Sequence, residues 1–332
     1  MWKRKDPEIK PLHDTLPPPS GGGSRFGFLG GPGKRLQPGG SYWIWYILPA
    51  LLIYVSFMAY PLLDSLRLSL YTGNAANRTF VGMDNFVKLF TDANYTVRYV
   101  NAIINTIYFF VIHMLVQNVL GMLFAILLTG PRLSGRRIYQ TVIFLPTTFA
   151  ILITGYLWKL ILNPVWSRGL LGDLGLSALA QPWLGSEKTA LTAVSLISCW
   201  QWVGIPTMMF VAALLGISDD LYEAAEIEGA SKWQIFWYIK LPLVKPVVGI
   251  IAILTFVNNF NAFDVVFATT NVNGAPGYST DILGTLFYRV GIAGQHPIGI
   301  PDPGMGAAIA TITFVILATG SLFTLNATRT KG

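Results

Sequence analysis

The sequence predicts an all-α polytopic membrane protein with six transmembrane helices. Only 12% of the 332 residues are charged while 53% are hydrophobic, and the mean hydropathy is +0.53. A soluble domain of this size carries roughly a quarter charged residues. Six apolar stretches reach the length that a helix needs to cross the hydrocarbon, about 20 residues. The third observation is charge placement: Lys and Arg, in net excess by seven over the acids, gather on one side of those stretches.

The first stretch, 41–63, carries Pro49 and Pro61 near its ends. The second, 100–130, contains His113, expected to be a buried hydrogen-bonding residue. The third, 138–158, has Pro146 inside it; the fourth lies within 189–218, the fifth runs over 244–263 and the sixth over 304–328. All six are expected to be helical, because lipid offers no partner for open backbone groups. With the N-terminus inside, the cytoplasmic segments are the tail, 131–137, 218–245 and the C-terminal end. They hold seven, three, three and two Lys or Arg, fifteen of the twenty-three. The compact "PRLSGRR" turn weighs most, since short loops carry the topological signal. Both termini are therefore expected in the cytoplasm. The external loops 64–99, 163–188 and 268–303 are longer and richer in Asn, Gly and Pro, and carry the remaining basic residues except Lys159, which follows the third stretch on the same side; Arg98 and Arg289 are among them. They are suited to receiving a partner or substrate.

Residues 1–40 are basic, rich in Pro and Gly, and without the apolar core of a cleavable leader, so they are expected to form a disordered cytoplasmic tail. Within the tail, "GGPGKR" misses the phosphate-binding pattern G-x-x-x-x-G-K-[ST]: Phe28 stands at the first glycine and Arg35 follows Lys34. No nucleotide site, and no cofactor, is therefore expected on this chain. His13, His113 and His296 lie far apart, the single cysteine Cys199 has no second thiol, and no catalytic or metal-ligand motif is evident. The positive charge is explained by the cytoplasmic bias and does not call for a nucleic acid. Membrane lipid is the expected surround.

The charged stretch "DDLYEAAEIEGASKWQIFWYIKLP", 219–242, is anomalous in so apolar a chain. Asp219 and Asp220 suit a helix N-terminus, with Ser218 as its cap. Ala224 and Ala225 let another surface approach, and Gly229 permits a sharp turn. Leu241 and Pro242 would mark the start of the fifth span. An interfacial helix would display Lys and Arg to anionic lipid, whereas this one leads with acids, which favours docking to a protein.

Glu223-Ala224-Ala225, three residues, Gly229, nine residues, Ile239, one residue and Leu241-Pro242 match the EAA motif of the permeases of ABC importers. The resemblance spans roughly 42–330. "FVGMDNF" (80–86) and "RRIYQTVIFLPTTFAILITGYLWKLILNP" (136–164) look like that family's segments. "NNFNAFDVVFATTNVNGAPGYST" (258–280) resembles sugar permeases of the maltose and glycerol-3-phosphate type, departing from T-x-G-G-P-x-x-x-T by an insertion and by Ala275. The resemblance implies a type I importer permease fold, MetI-like, over 41–330, with the coupling loop at about 218–242. It also implies a second permease subunit, a cytoplasmic ATPase dimer carrying ATP and Mg, an extracytoplasmic solute-binding protein, and a bacterial or archaeal cytoplasmic membrane. Glu223, Ala224, Ala225, Glu228, Gly229, Ile239, Leu241 and Pro242 would couple to the ATPase.

The fifth stretch concentrates Asn258, Asn259, Asn261 and Asp264, and on one continuous helix entering near Val247 the last would lie about 26 Å deep. Amides suit sugar hydroxyls; they equally suit bonds to neighbouring helices. Gln201 and Trp202, in "CWQWVG", and Thr311 in the sixth stretch complete the expected pathway residues for a disaccharide, oligosaccharide or polyol. Two alternatives compete: an ion-coupled secondary transporter, which needs buried charges and broken helices, and an intramembrane enzyme, which needs paired catalytic groups.

Overall fold

The computed structural model of the chain describes residues 42–73, 77–130, 133–165, 172–173, 175, 181–295 and 299–328. The expected tail, Arg132, His13 and His296 lie outside the described residues. The chain divides into a unit that ends at Tyr54 and a unit from Val55 onward. Among the described residues, four helices are long and apolar enough to cross a bilayer, and two bent helix pairs make six.

The first unit contributes α1 (Tyr42–Tyr54), apolar throughout with Pro49 inside. In the second unit a π turn, Val55–Ala59, leads into α2 (Tyr60–Leu68), where Pro61 occupies the first turn. A short hairpin follows, β1 (Tyr71–Thr72) antiparallel to β2 (Thr79–Phe80), with Tyr71 opposite Phe80. Next comes α3 (Asp84–Thr91), whose buried Asn85 donates to Ser69 O at 2.9 Å and Tyr71 O at 2.7 Å. The second span begins at the Asp92 cap and comprises α4 (Ala93–Ile112), a π turn His113–Gln117, and α5 (Asn118–Leu128).

The third span is not the single helix expected over 138–158. It is α6 (Arg136–Phe144), a 3-10 turn Leu145–Thr148, and α7 (Ile151–Ile161), bent by 97°. Pro146 cannot donate to the helical ladder, and Phe149 and Ala150 then turn extended, with ψ of 142° and 136°. The fourth span is also bent, by 45°, between α8 (Ala190–Trp202) and α9 (Gly204–Leu215). Pro206 supplies no N–H there, and Gly204 brings the two bent spans together: a Cβ on it would stand 2.9 Å from Phe144 Cα.

The connection between the fourth and fifth spans holds α10 (Asp219–Ile227) and α11 (Lys232–Ile235). The fifth span does not start at Leu241 and Pro242. Helix runs without interruption over Lys232–Phe260, 29 residues, from α11 through a π turn Phe236–Lys240 into α12 (Leu241–Phe260). Leu241 N–H reaches back five residues to Phe236 O, and the next residue, Pro242, has no N–H to place. The far end differs as well: the helix stops at Phe260, before Phe263, and α13 (Asp264–Thr270) starts anew. α14 (Leu283–Tyr288) and α15 (Pro303–Thr328) complete the chain, the latter close to the expected 304–328.

Three buried clusters hold the second unit together. Tyr99, Phe260, Leu286 and Ile309 join the second, fifth and sixth spans to α14. Phe109, Val194, Val266 and Ile282 join the second and fourth spans to α13. Leu128, Phe210, Val244 and Ile251 join the second, fourth and fifth. At roughly 1.5–3 kcal/mol for each large apolar side chain taken from water, such contacts would dominate a soluble core. In lipid, close packing must do more. The glycines show it: a Cβ on Gly155 of α7 would lie 2.3 Å from Ala268 Cβ of α13, and Gly291 Cα approaches the Cβ position of Gly306 to 2.6 Å.

Candidate functional site: a polar cavity and a charged elbow

A cavity of about 280 Å³ opens among the second, fourth and fifth spans and the break after Phe260. Phe109, His113 and Gln117 line it from the second span, Ser198, Trp202 and Met209 from the fourth, and Thr255, Asn258, Asn259, Asn261 and Asp264 from the fifth and its break. The break decides the geometry. Asn261 caps α12, Phe263 takes a non-helical φ of −147°, and Asp264 opens α13. Asp264 therefore returns to the cavity beside Asn258 and Asn261, and the depth expected of it on one continuous helix does not apply.

The structure sorts the expected pathway residues. Asn258, Asn261 and Asp264 are exposed at the cavity and Trp202 forms part of its wall. Asn259 also lines it but is buried, its Nδ2 donating to Thr255 O at 2.7 Å while its Oδ1 has no partner. Gln201 does not line the cavity. It is fully buried, and its Nε2 donates to Phe149 O at 3.0 Å, meeting the carbonyl that the third span's break releases. Thr311 is likewise off the cavity, its hydroxyl donating to Ala307 O of its own helix at 2.7 Å. His113 is buried as expected, with Nδ1 2.8 Å from Phe109 O and Nε2 2.9 Å from Ser198 Oγ.

One buried pair escaped the sequence reading. Arg289, expected in an external loop, is fully buried: Nη1 lies 3.0 Å from Asp281 Oδ1 and Nη2 2.6 Å from Oδ2. Burial pushes the Asp281 carboxyl up, and the two bonds from Arg289 oppose that shift. The Tyr278 ring stacks beneath Arg98, 3.6 Å from its guanidinium carbon. Asn101 Nδ2 donates to Tyr278 O at 2.9 Å and Asn105 Nδ2 to Asp281 O at 2.8 Å. This loop is a built support for the outer end of the second span. The sequence offered one clue to it, the acid–base spacing of eight residues from Asp281 to Arg289.

In the elbow between the fourth and fifth spans, Ser218 Oγ caps α10 by accepting from Asp220 N at 3.4 Å. The helix ends with Ala230 N–H on Ala225 O at 2.9 Å and Gly229 at φ +79°, the left-handed conformation in which a Cβ is penalised. Ser231 and Gln234 then form a capping box that starts α11. Glu223, Ala224, Glu228 and Gly229 are exposed; Ala225, Ile239 and Leu241 are half-buried, and Pro242 is exposed. Ile227, a large apolar side chain, is 85% exposed. Lys240 Nζ sits 5.0 Å from the centre of the Tyr222 ring, so α10 touches the base of the fifth span. Burial, with Asp219 beside it, pushes the Tyr222 phenol above its usual value.

Apolar spans, a polar-lined cavity among three of them and a charged helical elbow between the fourth and fifth are those of a multi-pass membrane protein. Residues 117–330 match the model of the binding-protein-dependent transport system inner membrane component, and the chain belongs to that family. The lactose transport system permease protein LacF of Rhizobium radiobacter is 31% identical over 247 residues, covering 74% of this chain and 81% of its own. The trehalose/maltose transport system permease protein MalF of Thermococcus litoralis is 30% identical, covering 82% and 88%. A crystal structure of a bacterial ABC transporter that imports the acidic polysaccharide alginate shares the fold, with a TM-score of 0.71 at 21% identity, covering 87% of this chain and 96% of that one. The fold is thus that of type I importer permeases, as expected. The chain is a transport subunit of an ABC system.

Proposed function

We propose that this chain forms half of the translocation pathway of an ATP-driven importer for a disaccharide, oligosaccharide or related polyol. The supporting observation is the uninterrupted helix Lys232–Phe260, which runs from the exposed elbow to the cavity wall. The names of LacF and MalF support the sugar class. A cavity of about 280 Å³ falls at the lower edge of the roughly 300–1,000 Å³ usual for ligand sites, which suits a site completed by a second, homologous permease. A solute-binding protein delivers the sugar from outside. A cytoplasmic ATPase dimer, which holds ATP and Mg, receives α10 as a coupling helix.

In this reading Glu223 pairs with a basic group of the ATPase, Ala224 and Ala225 allow close approach, and Gly229 sets the turn. Glu228 extends the acidic face, and Ile239, Leu241 and Pro242 carry the movement into the fifth span. Closure of the ATPase dimer then rocks the two permeases as rigid bodies about the cavity. Both termini face the cytoplasm of a bacterial or archaeal cell. The test is uptake of labelled neutral oligosaccharide into proteoliposomes holding the assembled transporter and its binding protein. Uptake is expected to require both ATP and the ATPase subunits; uptake that persists without them under an ion gradient overturns the reading.

A further inference from the structure

The second span is regular helix except over His113–Gln117, where one π turn interrupts it. Such turns add a residue to the helical circuit and recur at functional sites. Here the turn sets both of its end residues on the cavity wall. His113 is already engaged at both ring nitrogens, by Phe109 O and Ser198 Oγ. Gln117 is different. It is only 7% exposed, it lines the cavity, and its Oε1 is buried without a hydrogen-bond partner among the described residues. Buried acceptors are normally paired, so an orphan at a ligand-sized cavity marks a place where a donor arrives.

Two other oxygens face the same space. Asn259 Oδ1 is buried and unpartnered, its amide nitrogen being committed to Thr255 O. The Asp264 carboxylate is exposed at the cavity, with no hydrogen bond or ion pair to the described residues. Of the neighbouring polar groups, Asn118 and Thr255 bond to one another at 3.1 Å. These three oxygens are acceptors, one of them negatively charged, and they stand in a lining to which Asn258, Asn261 and Trp202 also bring N–H donors. A ligand rich in hydroxyl donors satisfies the three oxygens; an anion brings further acceptors and like charge.

We propose that Gln117 is a substrate-binding residue whose Oε1 accepts a hydroxyl hydrogen, and that with Asn259 and Asp264 it makes this wall select neutral polyols over anionic ones, uronates and sugar phosphates included. This rests on the permease reading and narrows its substrate class. The role of the π turn is to hold the Gln117 amide against the cavity where a regular helix would rotate it away.

The test reads binding, with no ATP and no uptake. The detergent-solubilised transporter, with both permeases and the ATPase, is titrated by equilibrium dialysis with a panel of labelled neutral di- and trisaccharides and their uronate counterparts. The wild-type complex is expected to bind at least one neutral sugar, at least about tenfold tighter than its uronate. Gln117→Leu removes the acceptor and should weaken that neutral sugar by about tenfold or more. Gln117→Glu keeps an acceptor oxygen, so it should retain neutral binding within about threefold while weakening the uronate further.

Four results overturn the proposal: no neutral sugar bound by the wild type, uronate bound as tightly, equal loss of both ligands in Gln117→Leu, or loss of the neutral sugar in an assembled Gln117→Glu complex. If Gln117→Leu fails to assemble, the Gln117→Glu arm decides. A complex that binds neutral sugar through Gln117 yet transports without ATPase would break the importer reading alone. One that imports under ATP without discriminating charge would break this one alone.

Discussion

The two ends of the helix Lys232–Phe260 are built on opposite plans. At the elbow end the polar groups are local and serially capped: Ser218 for α10, Gly229 for its stop, Ser231 and Gln234 for the start of α11. At the cavity end the polar groups come from three spans, and breaks in helices help supply the geometry. An exposed elbow must keep its shape, so each turn stabilises itself. A polar cavity inside lipid needs polar groups turned away from the lipid; the interruptions at His113–Gln117 and Asn261–Phe263 help bring such groups to one place, and the break at Phe149–Ala150 brings Ile151 to the same wall.

This contrast predicts that damage at the cavity end propagates and damage at the elbow stays local. The largest effect is expected at the buried pair behind the outer loop. Arg289→Met leaves the Asp281 carboxylate buried with its main partner gone, a cost of about 3–5 kcal/mol. Thermal unfolding of the purified transporter should fall steeply. The double variant Asp281→Leu with Arg289→Met should recover much of the loss, since apolar replacement of a whole buried pair is often neutral. A double variant as unstable as the single one would mean that the pair also holds the loop through Asn105 and Tyr278, and that the outer end is a network rather than a pair.

Gln201→Leu should have an intermediate effect. It removes the donor to Phe149 O where the third span turns by 97°. A buried carbonyl left open costs about 1–3 kcal/mol, and the bend that shapes one wall of the bundle relaxes. Neutral-sugar binding should fall together with thermal stability, although Gln201 itself does not line the cavity. Unchanged stability with lost binding would instead make Gln201 a ligand residue, contrary to its burial.

The same contrast explains what the sequence disclosed. Gly229, Ser218 and the acidic start of α10 were legible because caps and left-handed turns are decided by residues within a few positions. The number of spans was legible from apolar length. Pro146 hinted at trouble in the third span, but the 97° break needs Gln201, more than fifty residues away, to satisfy the exposed carbonyl. Gln201 was accordingly misassigned to the pathway. Asn258, Asn261 and Asp264 were singled out by polarity alone, on one continuous helix, since no residue type announces a stop at Phe260. Gln117 gave no signal, because a π turn has no composition of its own.

The smallest effect is expected where the elbow meets the span. Lys240→Met keeps the aliphatic stem and removes the charge over Tyr222. A partly exposed cation–π contact contributes about 0.5–1 kcal/mol, so thermal stability should change little. In the proposed coupling its mechanical role would be larger than its energy, because it is a contact through which α10 bears on the π turn Phe236–Lys240 without passing round the Gly229 bend. Loosening it should let the docked helix move without carrying the fifth span, raising ATP hydrolysed per sugar imported while the ATPase still co-purifies. Tyr222→Leu should reproduce that ratio. An unchanged ratio in both variants would show that force travels through the backbone of α11 alone, and would reduce the Tyr222–Lys240 contact to surface packing.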